Sequence, residues 1–252
     1  MEKNFIIIFD LTPQRIILYV SDSVTDVLGY TPDELIGKTG LYIIPEDHIS
    51  GTNTFIAYQE ISDSLATVLF CTARKKDSKV IPIECVASCC YNMITATIVE
   101  GELNNSKSKD RVAAADNIVY IDKNPNCIHK VDGPQLLRLH KSQLPSTPIQ
   151  FEPRVCMVLN RFTRKLTIMY CSIPASFVLG MNSKKCTGTS FISYIHQEDL
   201  SATINELDRV KSTACIGQVD LRFLSPELGT INVSVVVSAS CDGLIAILRR
   251  SE

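Results

Sequence analysis

Displaced by 151 residues, this chain lines up on itself. Tyr19 falls on Tyr170, Ser21 on Ser172, Leu28-Gly29 on Leu179-Gly180 and Gly37 on Gly188, while Val86 lands on Val237 and Cys90 on Cys241. One displacement serves from residue 5 to about 98 with little or no net gap. Identities are sparse, but the apolar pattern and the two glycines agree, so one fold is written twice. The expected organisation is a first domain over 1–103, a partly ordered linker over 104–151 and a second domain over 152–252. A chain of 252 residues accommodates two such domains, each able to bury a core without disulfides or metals.

Both copies read alike. Phe5–Phe9 and Ile16–Val20 in the first, and Cys156–Leu159 and Thr167–Cys171 in the second, are short apolar runs joined by hairpin-compatible turns. Ser21-Asp22-Ser23 supplies helix-capping residues ahead of Val24, Val27 and Leu28, and Gly29 stops that helix. Thr31-Pro32-Asp33-Glu34-Leu35 restarts a short one, with Pro at the first position and acids in the first turn. A longer helix comes next, clear in copy two from the Leu200, Ile204, Leu207 stripe and weaker over Ile49 to Ile61. Three strands close each copy: Leu65–Arg74, Lys79–Tyr91 and Met93–Val99, then Ile216–Leu224, Thr230–Ser240 and Leu244–Leu248. The expected fold class is α+β, each domain a five-stranded antiparallel sheet with short helices on one face.

The segments Tyr19-Val20-Ser21-Asp22-Ser23, Leu28 through Gly37 and Pro45-Glu46-Asp47 resemble the core signature of PAS domains. In copy two, Glu152–Cys156, Asn160–Thr163, Ile168-Met169-Tyr170 and Cys241–Arg250 resemble the later PAS domain of fungal white-collar light regulators. The resemblance implies a tandem PAS protein of signalling or transcriptional regulation. The photoactive members of that family carry a flavin-binding signature with a reactive cysteine. Here the corresponding stretch is Gly37 to Ile44, and Gly40 stands at the cysteine position. The final strands lack the family's flavin-gripping glutamine, and no Cys-x-x-Cys pair offers its GATA-type zinc finger. No cofactor, no metal, no adduct photochemistry and no direct sequence-specific DNA binding are therefore expected.

The charge distribution agrees. Residues 1–105 carry 7 Lys/Arg against 14 Asp/Glu, too acidic to hold phosphates, and the remaining 18 against 13 are spread out. Most of the ten cysteines sit in apolar strand-like runs and are read as small hydrophobes; in a strand Cys85 and Cys89 share a face that Cys90 leaves. No secretory core or membrane-length apolar stretch is present, which points to a nuclear or cytoplasmic protein without membrane contact. His48 and His196 lie near the start of the long helix, where some haem-binding PAS domains place an iron ligand; with no other ligand signature, helix-entry polarity near Asp47 and Asp199 is the preferred reading.

No catalytic constellation appears, so no enzyme activity is expected. In the linker, Asn117–Ile121 and Asn126–His129 are expected to form a small hairpin around Asp122–Pro125, with a helical turn after it over Gln135–His140. Apolar residues of both parities in Thr67–Cys71 predict a sheet covered on both faces, by helices on one and by the linker, the second domain or another protein on the other. The leading reading is association with itself or another PAS protein. The alternative is a sensor that holds a small ligand or chromophore in the domain interior.

Overall fold

Asn4–Asp10 (β1) pairs antiparallel with Ile17–Val20 (β2) on one side and Met93–Glu100 (β5) on the other. Val80–Cys90 (β4) and Thr67–Arg74 (β3) continue the antiparallel sheet beyond β5. Between β2 and β3 run Val24–Leu28 (α1), Pro32–Leu35 (α2), 3-10 turns at Gly40–Ile43 and Glu46–His48, and Ile49–Gln59 (α3). This computed structural model describes residues 2–101, 105–121, 127–132, 135–144 and 152–251. The chain forms two compact units, Met1–Phe151 and Glu152–Glu252.

Two of the expected local signals act as read, whereas Ser23 at the start of α1 makes no side-chain cap hydrogen bond. Gly29 adopts φ 78° at the end of α1, a left-handed conformation that costs glycine little. Thr31 and Glu34 form a capping box around Pro32 at the start of α2. The core lies between the helices and one sheet face, where Phe5, Ile7, Leu28, Leu35 and Ile43 are all fully buried.

The segment read as a linker builds more than a docked turn. Ser106–Ala114 (α4) comes after β5, with a side-chain cap in which Asn105 Oδ1 accepts the Ser108 N–H at 2.7 Å. Asn117–Ile121 (β6) then pairs parallel with β3, and Cys127–Asp132 (β7) returns antiparallel to it, as the expected hairpin requires. The proposed turn at Asp122–Pro125 lies outside the described residues. Gln135–His140 is not a helical turn but a strand (β8) paired along its length with β7. Six residues cannot nucleate an isolated helix, and the ladder offered by β7 decides the conformation. Among the described residues the first unit thus carries eight strands in the order β2-β1-β5-β4-β3-β6-β7-β8.

The second unit repeats the five-strand pattern. Val155–Leu159 (β9), Ile168–Cys171 (β10), Ile216–Ser225 (β11), Gly229–Ala239 (β12) and Leu244–Arg250 (β13) form an antiparallel sheet in the order β10-β9-β13-β12-β11. Ala175–Val178 (α5), Ser183–Cys186 (α6) and Leu200–Thr213 (α7) fall between β10 and β11. The same hydrogen bond ties the second strand's end to the first strand in each unit: Ile6 N–H to Ser21 Oγ at 2.8 Å, and Cys156 N–H to Ser172 Oγ at 2.9 Å.

The displacement between the units is not uniform. Core-facing Phe5 and Ile7 correspond by register to Val155 and Met157, 150 residues on, whereas Tyr19 corresponds to Tyr170, 151 on. Carrying 151 through the strands would exchange their faces. It sets Val86, outside the first core cluster, against Val237, inside the second; sheet register sets Val86 against Val236.

Candidate ligand cavity and docking faces

The inner face of β4 and β5 carries Cys85, Ala87 and Ala96 where larger aliphatics would fill the core. A cavity of about 80 Å³ remains there, lined by such residues as Leu69, Ile83, Ile94 and Ile98 together with Phe9 and Gly40. This is well below the roughly 300 Å³ of drug-sized pockets, and it suits a ligand of few heavy atoms. Its lining is almost wholly apolar except for Arg15 and Thr52. Arg15 occupies the β1–β2 turn with φ 51°. Its Nη2 donates to Glu60 Oε1 at 2.8 Å, while the buried Nη1 has no hydrogen-bond partner among the described residues.

Gly40 touches this cavity. A Cβ there would stand 2.6 Å from the Phe9 ring and 3.2 Å from the Arg15 carbonyl oxygen, so any side chain requires the ring to move. The Gly40 N–H donates to that same carbonyl at 2.7 Å, fixing the turn against the β1–β2 loop.

The cysteines behave as packing groups. Cys85 and Cys89 join the first core cluster, and Cys90, on the opposite face, does not. A hydrogen bond with Cys71, together with burial, pushes the Cys85 thiol well above its ordinary range. Burial alone pushes Cys156 up to about 12. Burial, with Cys186 close by, also raises Cys171. Thiols held protonated in this way are poor nucleophiles and poor metal ligands. Among the described residues no cluster of three His, Cys, Asp or Glu side chains could hold a metal ion.

The two histidines do different things. His48 is buried, and its Nδ1 lies 3.2 Å from Thr72 Oγ1, tying the entry of α3 to β3 beside a cleft of about 200 Å³ that Phe70, Pro82 and Tyr120 also line. His196 Nδ1 instead accepts the Glu198 N–H at 3.4 Å, ahead of α7.

Outside the core, each unit presents two adjacent apolar side chains on its short edge strand. In β2 the ladder passes from Ile8↔Tyr19 to Phe9↔Ile17, leaving Leu18 as an extra residue. In β10 it passes from Val158↔Tyr170 to Leu159↔Ile168, leaving Met169 as the extra. A bulge of this kind breaks strict alternation. Leu18 with Tyr19, and Met169 with Tyr170, accordingly stand exposed in pairs. The sequence contains these residues but no signal that they face outward.

Residues 3–98 match the family described as PAS fold, and the first unit contains a PAS domain over that span. The chain is similar to the wild-type Drosophila melanogaster Cycle PAS-B with bound ethylene glycol, at 18% identity over 38% of this chain and 97% of that one, TM-score 0.34. It is also similar to the Cronobacter turicensis RpfR quorum-sensing receptor PAS domain in complex with BDSF, at 11% identity over 42% and 100%, TM-score 0.35. A third similarity is to the Erythrobacter litoralis EL346 blue-light activated histidine kinase, at 10% identity over 45% and 38%, TM-score 0.38. No curated protein matches the sequence. No helix among the described residues is long and apolar enough to cross a membrane.

Proposed function

We propose that this protein is a non-enzymatic signalling module that acts by PAS-mediated association, with the second unit serving as a second PAS domain and transcriptional regulation as the output. The observation that carries the reading is the exposed apolar pair on each edge strand, Leu18-Tyr19 and Met169-Tyr170. Side chains of this kind gain by being covered, and contiguous exposed apolar surface marks interaction sites. The partner is a second copy or another PAS protein. Size-exclusion chromatography with light scattering tests this: association is the expected result, and a strict monomer that binds no PAS partner would refute it.

A second reading rests on Arg15. An unpartnered buried guanidinium nitrogen beside an apolar cavity supports a small ligand with an apolar body and one acceptor group. Mass spectrometry of material released on unfolding separates the two readings: a stoichiometric small molecule favours the sensor.

A further inference from the structure

The equivalent faces of the two units differ in chemistry in a complementary way. In unit two, Met169 and Tyr170 on β10 are succeeded by Ile173 and Phe177, 71% and 52% exposed, and by exposed Lys184 and Lys185 on α6. In unit one, Leu18 and Tyr19 on β2 are succeeded at the same spacing by exposed Asp22 and Asp26, then by Asp33 and Glu34 on α2. Exposed apolar side chains at α5 are thus no requirement of the fold, since α1 carries acids at those places. The lysines of α6 stand where α2 carries its two acids.

From this we infer that the β10–α5–α6 face docks on the β2–α1–α2 face of a second copy of this chain, an inference that rests on the association reading above. Charge selects the occupant. Two unit-two faces brought together would set Lys184 and Lys185 against their own copies, and two unit-one faces would gather Asp22, Asp26 and Asp33 with theirs. Only the mixed contact puts cations opposite anions while covering an apolar edge strand on each side. Neither lysine belongs to an ion pair among the described residues, whereas Glu34 is engaged by Lys76 at 2.6 Å. Asp22, Asp26 and Asp33 therefore carry the acidic side. Of the cations flanking the acidic face in sequence, Arg15 pairs with Glu60 at 2.8 Å and Lys38 lies 4.5 Å from the Tyr42 ring centroid. Such a contact joins two different surfaces, so it closes into a ring or pair when the geometry allows and otherwise propagates.

The test uses the full chain and two charge-reversed variants, K184E/K185E and D26K/D33K, with circular dichroism to check that each folds. Sedimentation velocity should show wild-type association that weakens with salt, and each variant alone should associate about tenfold more weakly or worse. An equimolar mixture of the two variants should recover association, because each of its cross-contacts is again opposite in sign. Wild-type association that neither variant weakens would overturn the docking face while leaving association through another surface intact. A wild-type chain that stays monomeric by itself but binds a different PAS protein would also overturn it, and would leave the proposed function standing.

Discussion

Arg111 Nε and Nη2 donate to the two carboxylate oxygens of Glu84 at 2.6 and 2.9 Å, with both side chains 3% exposed. The same guanidinium reaches Glu2 at 2.9 and 3.0 Å. Helix α4 is thereby pinned to β4 and to the N-terminal segment by one cation shared between two acids. Taking away one partner leaves a buried, uncompensated charge. Arg111→Ala is expected to destabilise the first unit by about 3–5 kcal/mol, and Arg111→Met with Glu84→Met and Glu2→Met together by much less. Urea unfolding of the three proteins checks the ordering.

Acid should act on both units through depressed carboxyl groups. At Glu2 burial works upward, but the hydrogen bonds and charge of Arg111 outweigh it and hold the carboxyl below its ordinary value. In the second unit, hydrogen bonds from the Arg222 guanidinium and its backbone N–H hold Asp199 at about 2 against an ordinary 3.8. A folded-state value below the unfolded one gives stability that is complete above the unfolded value and is lost as pH falls through the folded one. For Asp199 the loss is expected between about pH 4 and pH 2. Asp199→Asn should flatten that part of the stability–pH curve measured by thermal unfolding.

Gly40 and Phe9 predict a steric effect. Gly40→Ala is expected to cost about 1–3 kcal/mol because the ring must shift. Combining it with Phe9→Leu should cost less than the sum of the two single changes. A double-mutant cycle in denaturant measures the coupling, and simple additivity would contradict the contact.

The cavity separates the two functional readings by stability alone. Ala96→Val adds methyl groups toward the space bounded by Ile94 and Ile98. With the cavity empty, the change should stabilise by about 0.5–2 kcal/mol. With a resident ligand it should destabilise and release that ligand.

The added strands β6, β7 and β8 support the PAS core from its C-terminal side. Asp116 Oδ2 accepts the N–H groups of Leu65 and Ala66 at 2.7 and 3.0 Å just ahead of β3, and Val119 and Ile128 enter the core cluster. A chain ending at residue 103 leaves the β3 edge open and should be less stable and prone to aggregate. Comparing its unfolding midpoint and scattering with those of residues 1–151 tests this.

The sequence pattern disclosed the succession of strands and helices along each copy and the alternation of Cys85 and Cys89 against Cys90, because capping and period two are local properties. It misplaced the strand equivalence by one residue, since a valine stands at both 236 and 237 and residue identity could not choose between them. Gln135–His140 was ambiguous because three leucines in six residues suit either period, and β7 settled the matter. The Arg111 network and the orphaned Arg15 nitrogen were invisible for a different reason: their partners lie 27 to 109 residues away, or are missing. The bulges that expose Leu18 and Met169 arise from pairing, which no single strand encodes.

The most direct measurement is amide hydrogen exchange on the full chain as protein concentration rises. Association through the edge strands should slow exchange at 18–20 and 169–171 with concentration, while the cavity-lining strands β4 and β5 stay unchanged. Exchange at both edge strands that is independent of concentration, with or without a PAS partner, would contradict it.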